Sequence, residues 1–119
     1  MAEIKKVELA SMANLTKTKD WYAWLNLMPP LPNDFHVIGD VLVPNPGVNA
    51  VLLPKDSQET NPRILPMDLF LVQQPGYWIQ VMTWAQAKYD RVMKGKSYEK
   101  VQIFSDGRMI ADIPVEEVH

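Results

Sequence analysis

Three tight corners constrain this chain more than any other feature. Asn45-Pro46-Gly47-Val48, Gln74-Pro75-Gly76-Tyr77 and Ser105-Asp106-Gly107-Arg108 each stand between apolar or alternating runs. In the first two, proline presets φ at the second turn position and glycine accepts a positive φ at the third, which predicts type II turns. In the third, Asp-Gly is the pair favoured where both central residues need positive φ, the turn that matches strand twist. Each corner predicts a hairpin. Phe35 to Val43 would return as Val48 to Leu53, Ile64 to Val72 as Trp78 to Thr83, and Val101 to Phe104 as Met109 to Ile113.

The first run shows its faces plainly. Phe35, Val37, Val41 and Val43 share one side and are apolar, so that side is expected to meet the core. His36, Ile38, Asp40 and Leu42 share the other, mixed side. Trp21 to Leu27 adds an aromatic strand that ends before Met28-Pro29-Pro30-Leu31-Pro32, and Ile4 to Leu9 is a weaker strand candidate. Seven or eight short strands at such spacing predict an all-β antiparallel sandwich in a single domain over residues 1–119, with residues 1–20 as a loosely attached N-terminal segment. Strand count and turn spacing resemble immunoglobulin-like sandwiches, without the Cys…Trp…Cys signature of that family. Asp56 to Asn61 is polar and reads as an exposed loop.

Residues 84–94 carry two competing signals. Thr83 with Gln86 reads as a capping box, Ala85, Ala87, Lys88, Arg91 and Met93 favour helix, and Gly95 stands where a C-cap would. One short helix is the preferred reading. A strand running on through Ala87 or Tyr89 is the rival.

Composition removes whole classes of chemistry. The 119 residues contain no cysteine, so disulfides, thiolate metal sites and a cysteine nucleophile are excluded, and two histidines supply little for a zinc or iron centre. A net charge of −2 argues against a nucleic-acid binder. Lys88, Arg91, Lys94, Lys96 and Lys100 form a basic stretch, but Asp90 and Glu99 interrupt it, so it reads as a solvated face. Leu69 to Ala87 is free of charge, yet Gln73, Gln74, Pro75, Gly76 and Gln80 inside it reject a transmembrane helix. The first residues lack the apolar core of a secretory signal, which makes a cytoplasmic location the default and secretion the alternative. The Asn14-Leu15-Thr16 triplet is then expected to be an unused sequon.

No phosphate-cradling loop or nucleophile elbow is present, so no catalytic residue, metal ligand or cofactor is expected. His36 could be oriented by Asp34 two residues away, but the plain reading is a surface histidine. Glu116, Glu117 and His119 read as a solvated tail. The aromatic residues remain. Most tryptophans are expected in the core, while Trp21 or Trp24, Tyr77 and Trp78 are the candidates for a ligand or partner surface. Trp21 and Trp24 lie an odd number of residues apart, so a regular strand puts them on opposite faces. The expected function is a non-catalytic protein-interaction or structural module that uses a strand edge or exposed aromatic patch, with another protein or a second copy as partner. A carbohydrate-binding module with a Trp/Tyr stacking platform is the alternative.

Overall fold

The computed structural model describes residues 17–30, 32–55, 63–93 and 98–119. Ile4 to Leu9, Asn14, Asp56 to Asn61, and Lys94 to Lys96 lie outside the described residues. Seven strands follow one another, β1 (Thr18–Asn26), β2 (Asn33–Val43), β3 (Val48–Pro54), β4 (Ile64–Gln73), β5 (Thr83–Met93), β6 (Lys100–Ser105) and β7 (Arg108–Val118). They form one sheet in the order β3-β4-β6-β7-β1-β2-β5, curled nearly into a barrel.

The all-β expectation stands, and two of its details change. The sheet is mixed, because β1 pairs with β7 in parallel and β4 pairs with β6 in parallel. It is therefore one curved sheet in place of the two antiparallel layers of an immunoglobulin-like sandwich. No described residue is helical, and residues 83–93 are strand β5. Their helix propensity is overridden by tertiary pairing, since β5 runs in unbroken register with β2 from Val43↔Thr83 to Asn33↔Met93. Alternation decides the matter. Ala87 and Met93 are buried and Ala85 and Tyr89 pack on the core, while Trp84, Gln86, Lys88 and Asp90 face outward.

Only one of the three corners makes the hairpin predicted for it. Asp106 and Gly107 both take positive φ, at 51° and 79°, and β6 returns as β7 with Ser105 opposite Arg108. Gly76 also takes positive φ, but residues 77–82 join no ladder and β5 pairs with β2 rather than β4. At the first corner β2 and β3 are not partners, since β3 pairs with β4. Gly47 does not take positive φ there. A side chain on it would collide with the Trp78 indole, so this glycine serves packing.

The core follows the predicted face of β2. Phe35, Val37, Val41 and Val43 are buried against Leu25, Met67, Val101 and Ile103. Burying side chains of this size contributes roughly 1.5–3 kcal/mol each before chain entropy is charged against it. Gly39 shares that inward face, and its missing side chain is the space occupied by the Trp21 indole. The expectation of a tryptophan-filled core is corrected accordingly. Trp21 is half-buried against the core, and no tryptophan is fully buried among the described residues.

Candidate functional site

Two surfaces gather chemistry-bearing side chains. The first is a row across the outside of the sheet. Register places Trp24 opposite His36 on one side and Glu116 on the other, and His36 opposite Asp90. Tyr22, two residues before Trp24, stacks on it with ring centroids 5.0 Å apart. The His36 ring lies 4.9 Å from the Trp24 centroid. The Tyr22 hydroxyl donates to Glu116 Oε2 at 2.5 Å, and this hydrogen bond raises the Tyr22 pKa above its ordinary value. His36 Nδ1 meets Asp90 Oδ1 at 2.5 Å. A carboxylate accepts only, so Nδ1 carries the proton and donates. That bond lowers the Asp90 pKa, and Lys88 Nζ, 3.6 Å from the other carboxylate oxygen, adds to the effect.

This row orients an imidazole through Asp90. The partner of His36 is Asp90 on a neighbouring strand, not Asp34 as the strand spacing suggested. No group of three or more metal-capable side chains occurs among the described residues. The row also makes a poor sugar platform. Trp24 already has two ring neighbours, Tyr22 stacked on it and His36 tilted against it, and is itself only partly exposed. Sugar stacking requires an open ring face.

The second surface lies at the end of the barrel where β2, β4 and β5 meet their loops. Its foundation is a polar knot. Asn45 is buried, and its side-chain amide donates to Gln73 Oε1 at 2.8 Å while its Oδ1 accepts from the Gly47 amide at 2.9 Å and from Gln73 Nε2 at 3.1 Å. The Gln74 amide donates to the Gly47 carbonyl at 2.8 Å. Trp78 lies over Gly47 and donates its indole N–H to the Gln74 carbonyl at 3.0 Å. The corner at 44–47 is thereby fastened to the start of the β4–β5 connection.

Beyond that knot the surface is apolar. Tyr77 is fully exposed, Ile79 is 68 % exposed and Met82 60 %, with Val81, Phe70, Leu71, Val72 and Trp84 also open to solvent. The ammonium of Lys19 sits 4.2 Å over the Trp84 ring. From Tyr77 to Met82 the main chain makes three hydrogen bonds among the described residues: Val81 N–H donates to the Ile79 carbonyl, Gln80 Nε2 to the Trp78 carbonyl and Thr83 Oγ1 to the Val81 carbonyl. An irregular, apolar segment with a tight turn at Gln80 is thus held on this base.

Next to it runs a groove of about 470 Å³, with Val48 to Val51 along one wall and Thr83 to Gln86 along the other. These are the two unpaired edges of the sheet, β3 and β5, whose Cα atoms approach within 8 Å without forming a ladder. Following the pairings around the sheet shows that both edges run in the same direction. They could close only as a parallel pair, the slightly weaker kind.

Of the residues singled out from sequence, Tyr77 and Trp78 belong to this apolar end. Trp24 belongs to the outer row, and Trp21 faces inward over Gly39. The four do not form one site. Of the basic stretch, Lys88 and Arg91 are described and exposed. Lys88 and Arg91 fall on opposite faces of β5, Lys88 pairs with Asp90, and Arg91 donates to the Tyr98 hydroxyl at 3.1 Å. Sequence reasoning missed the Asn45–Gln73 knot and the His36–Asp90 bond, because each needs a register between distant segments. A partial signal existed for the outer row, since Tyr22 and Trp24 share strand parity. Comparison with protein-family models, curated proteins and solved structures finds no match for this chain.

Proposed function

We propose that this protein is a non-catalytic interaction module that binds another polypeptide through the apolar end of the barrel. One observation carries the reading. An uncharged stretch from Leu69 to Ala87 presents most of its large apolar side chains to solvent on a fixed base. Large apolar side chains left exposed in such number along one stretch of chain favour an interaction site. Apart from Val81, the main-chain N–H groups from Tyr77 to Met82 make no hydrogen bond among the described residues, which favours a polypeptide over a lipid surface. In hydrocarbon those groups would go unsatisfied, whereas a partner strand would satisfy them. The Tyr22 and His36 contacts of the partly exposed Trp24 weigh against the carbohydrate reading.

The test places a photo-crosslinking side chain at Tyr77, which touches nothing, in the cells that make the protein. The expected result is a covalent adduct with a polypeptide, absent when Met82→Lys is added. Adducts with lipid alone, or with no macromolecule, overturn the reading.

A further inference from the structure

We infer that the sheet zips shut along the seam between its two edges: β3 and β5 join as a parallel ladder with Ala50 opposite Ala85, and the open sheet becomes a complete barrel. The inference concerns the β3–β5 groove and does not rest on the proposed function.

The bonds already made show which main-chain groups each edge has left. Gln74 N–H donates to the Gly47 carbonyl and Lys55 N–H to the Pro66 carbonyl, and both pairs continue the β3–β4 register. Bonded pairs recur at every second residue of an antiparallel ladder, so Asn49, Val51 and Leu53 spend their main-chain groups on β4. Ala50 and Leu52 turn theirs toward the groove. On the other side, Leu42 N–H donates to the Lys17 carbonyl, which gives Leu42 to β1 and leaves Val41 and Val43 to β5. Their partners Ala85 and Thr83 are thereby used, and Trp84 and Gln86 turn toward the groove. A parallel ladder requires this offset, because a residue on one strand bonds to the two that flank its neighbour on the other. On closure Ala50 N–H donates to the Trp84 carbonyl, and the Ala50 carbonyl accepts from Gln86 N–H.

The side chains call for the same register. Ala50 and Ala85 both pack inward on the core, as directly opposite residues of a ladder must. Neither is large enough to hold the strands apart. The edges already approach within 8 Å at their Cα atoms, too near for a further strand between them, yet no ladder joins them. No residue lining the groove is ionised, so closure strands no charge. In the open form the free groups bond to solvent and in the closed form to each other, an exchange of small net free energy. Two forms so close in stability make a switch, which a molecule lodged in the groove would hold open. Closure also removes the exposed edges of the sheet. It reaches the apolar end directly, because Thr83 follows the 77–82 segment and Val48 follows the Gly47 on which Trp78 rests.

The discriminating variant is Ala50→Pro. The N–H it removes is not used by β4, so proline fits this edge and the circular-dichroism spectrum should be kept, while its ring blocks closure. Amide exchange followed by NMR on the full chain should then run at least about tenfold faster at Gln86 than in the natural protein. Exchange at Ala85 and Ala87, which are bonded to β2, should not change. In a second variant, Ala50→Cys with Ala85→Cys, opposite Cα atoms of a closed ladder lie about 4.8 Å apart, inside the roughly 4.4–6.8 Å that a disulfide spans. Mild oxidation should bridge them within one chain, with no native cysteine to compete, and the bridge should slow exchange at Leu52 and Gln86. Equal exchange at Gln86 in Ala50→Pro and the natural protein overturns the inference. So does a cysteine pair that stays reduced, or one whose bridge slows neither amide. If Ala50→Pro does not fold, the cysteine pair decides alone.

Discussion

His36 and Asp90 show how little of a side chain's role its own strand determines. The strand spacing offers Asp34 as the carboxylate for His36, and the sheet supplies Asp90 instead, because cross-strand neighbours sit closer than residues two apart on one strand. The bond has a pH signature. His36 donation lowers the Asp90 pKa below its ordinary value, so the folded state favours the ionised form. Stability from this group is present above the unfolded carboxyl pKa and is lost as pH falls through the lower folded value. The urea midpoint of the natural protein should therefore drop more steeply on acidification than that of Asp90→Asn. The difference should shrink in high salt, since Asp90 is 46 % exposed. Equal acid slopes for the two proteins would show that the bond contributes nothing.

At the scale of elements, faces were legible and partners were not. The inward set of β2 could be read from alternation alone, because period two is written in a single strand. The turn at Asp106-Gly107 was legible because both residues must take a rare backbone conformation. The Pro-Gly corners fix only a local change of direction. Whether the next strand returns along the last depends on segments far away, and β5 found β2. Helix signals in 83–93 lost for the same reason, an eleven-residue ladder outweighing local preference. The apolar end was half legible. Its lack of charge is in the sequence, but its base depends on Gly47 leaving room for Trp78 and on Asn45 reaching Gln73. Gly47→Ala should therefore push the Trp78 indole off its seat at a cost of about 1–3 kcal/mol. Denaturant titration would show the loss, and a red-shifted tryptophan emission would locate it. An unchanged emission would mean that Trp78 does not rest there.

Across the whole molecule, the ladders divide into β3–β4–β6 and β1–β2–β5, and β7 alone joins them. Residues buried in one group, such as Met67 and Ile103, pack in the same core as Phe35 and Val37 from the other. Removing residues 108–119 should leave neither half with a complete core. The truncated chain should lose its cooperative thermal transition, and a retained sharp transition would show that the halves close on each other without β7.

The central place of β7 sets an order on biosynthesis. As the chain leaves the ribosome, the six earlier strands emerge with no bridge between their two groups, and the seventh arrives late to the middle position. Such non-local pairing is slow, and it leaves apolar ribbons waiting in the meantime. The uncharged segment at 77–82 waits with them, and the arrival of β7 lets the apolar faces of both groups close on one core.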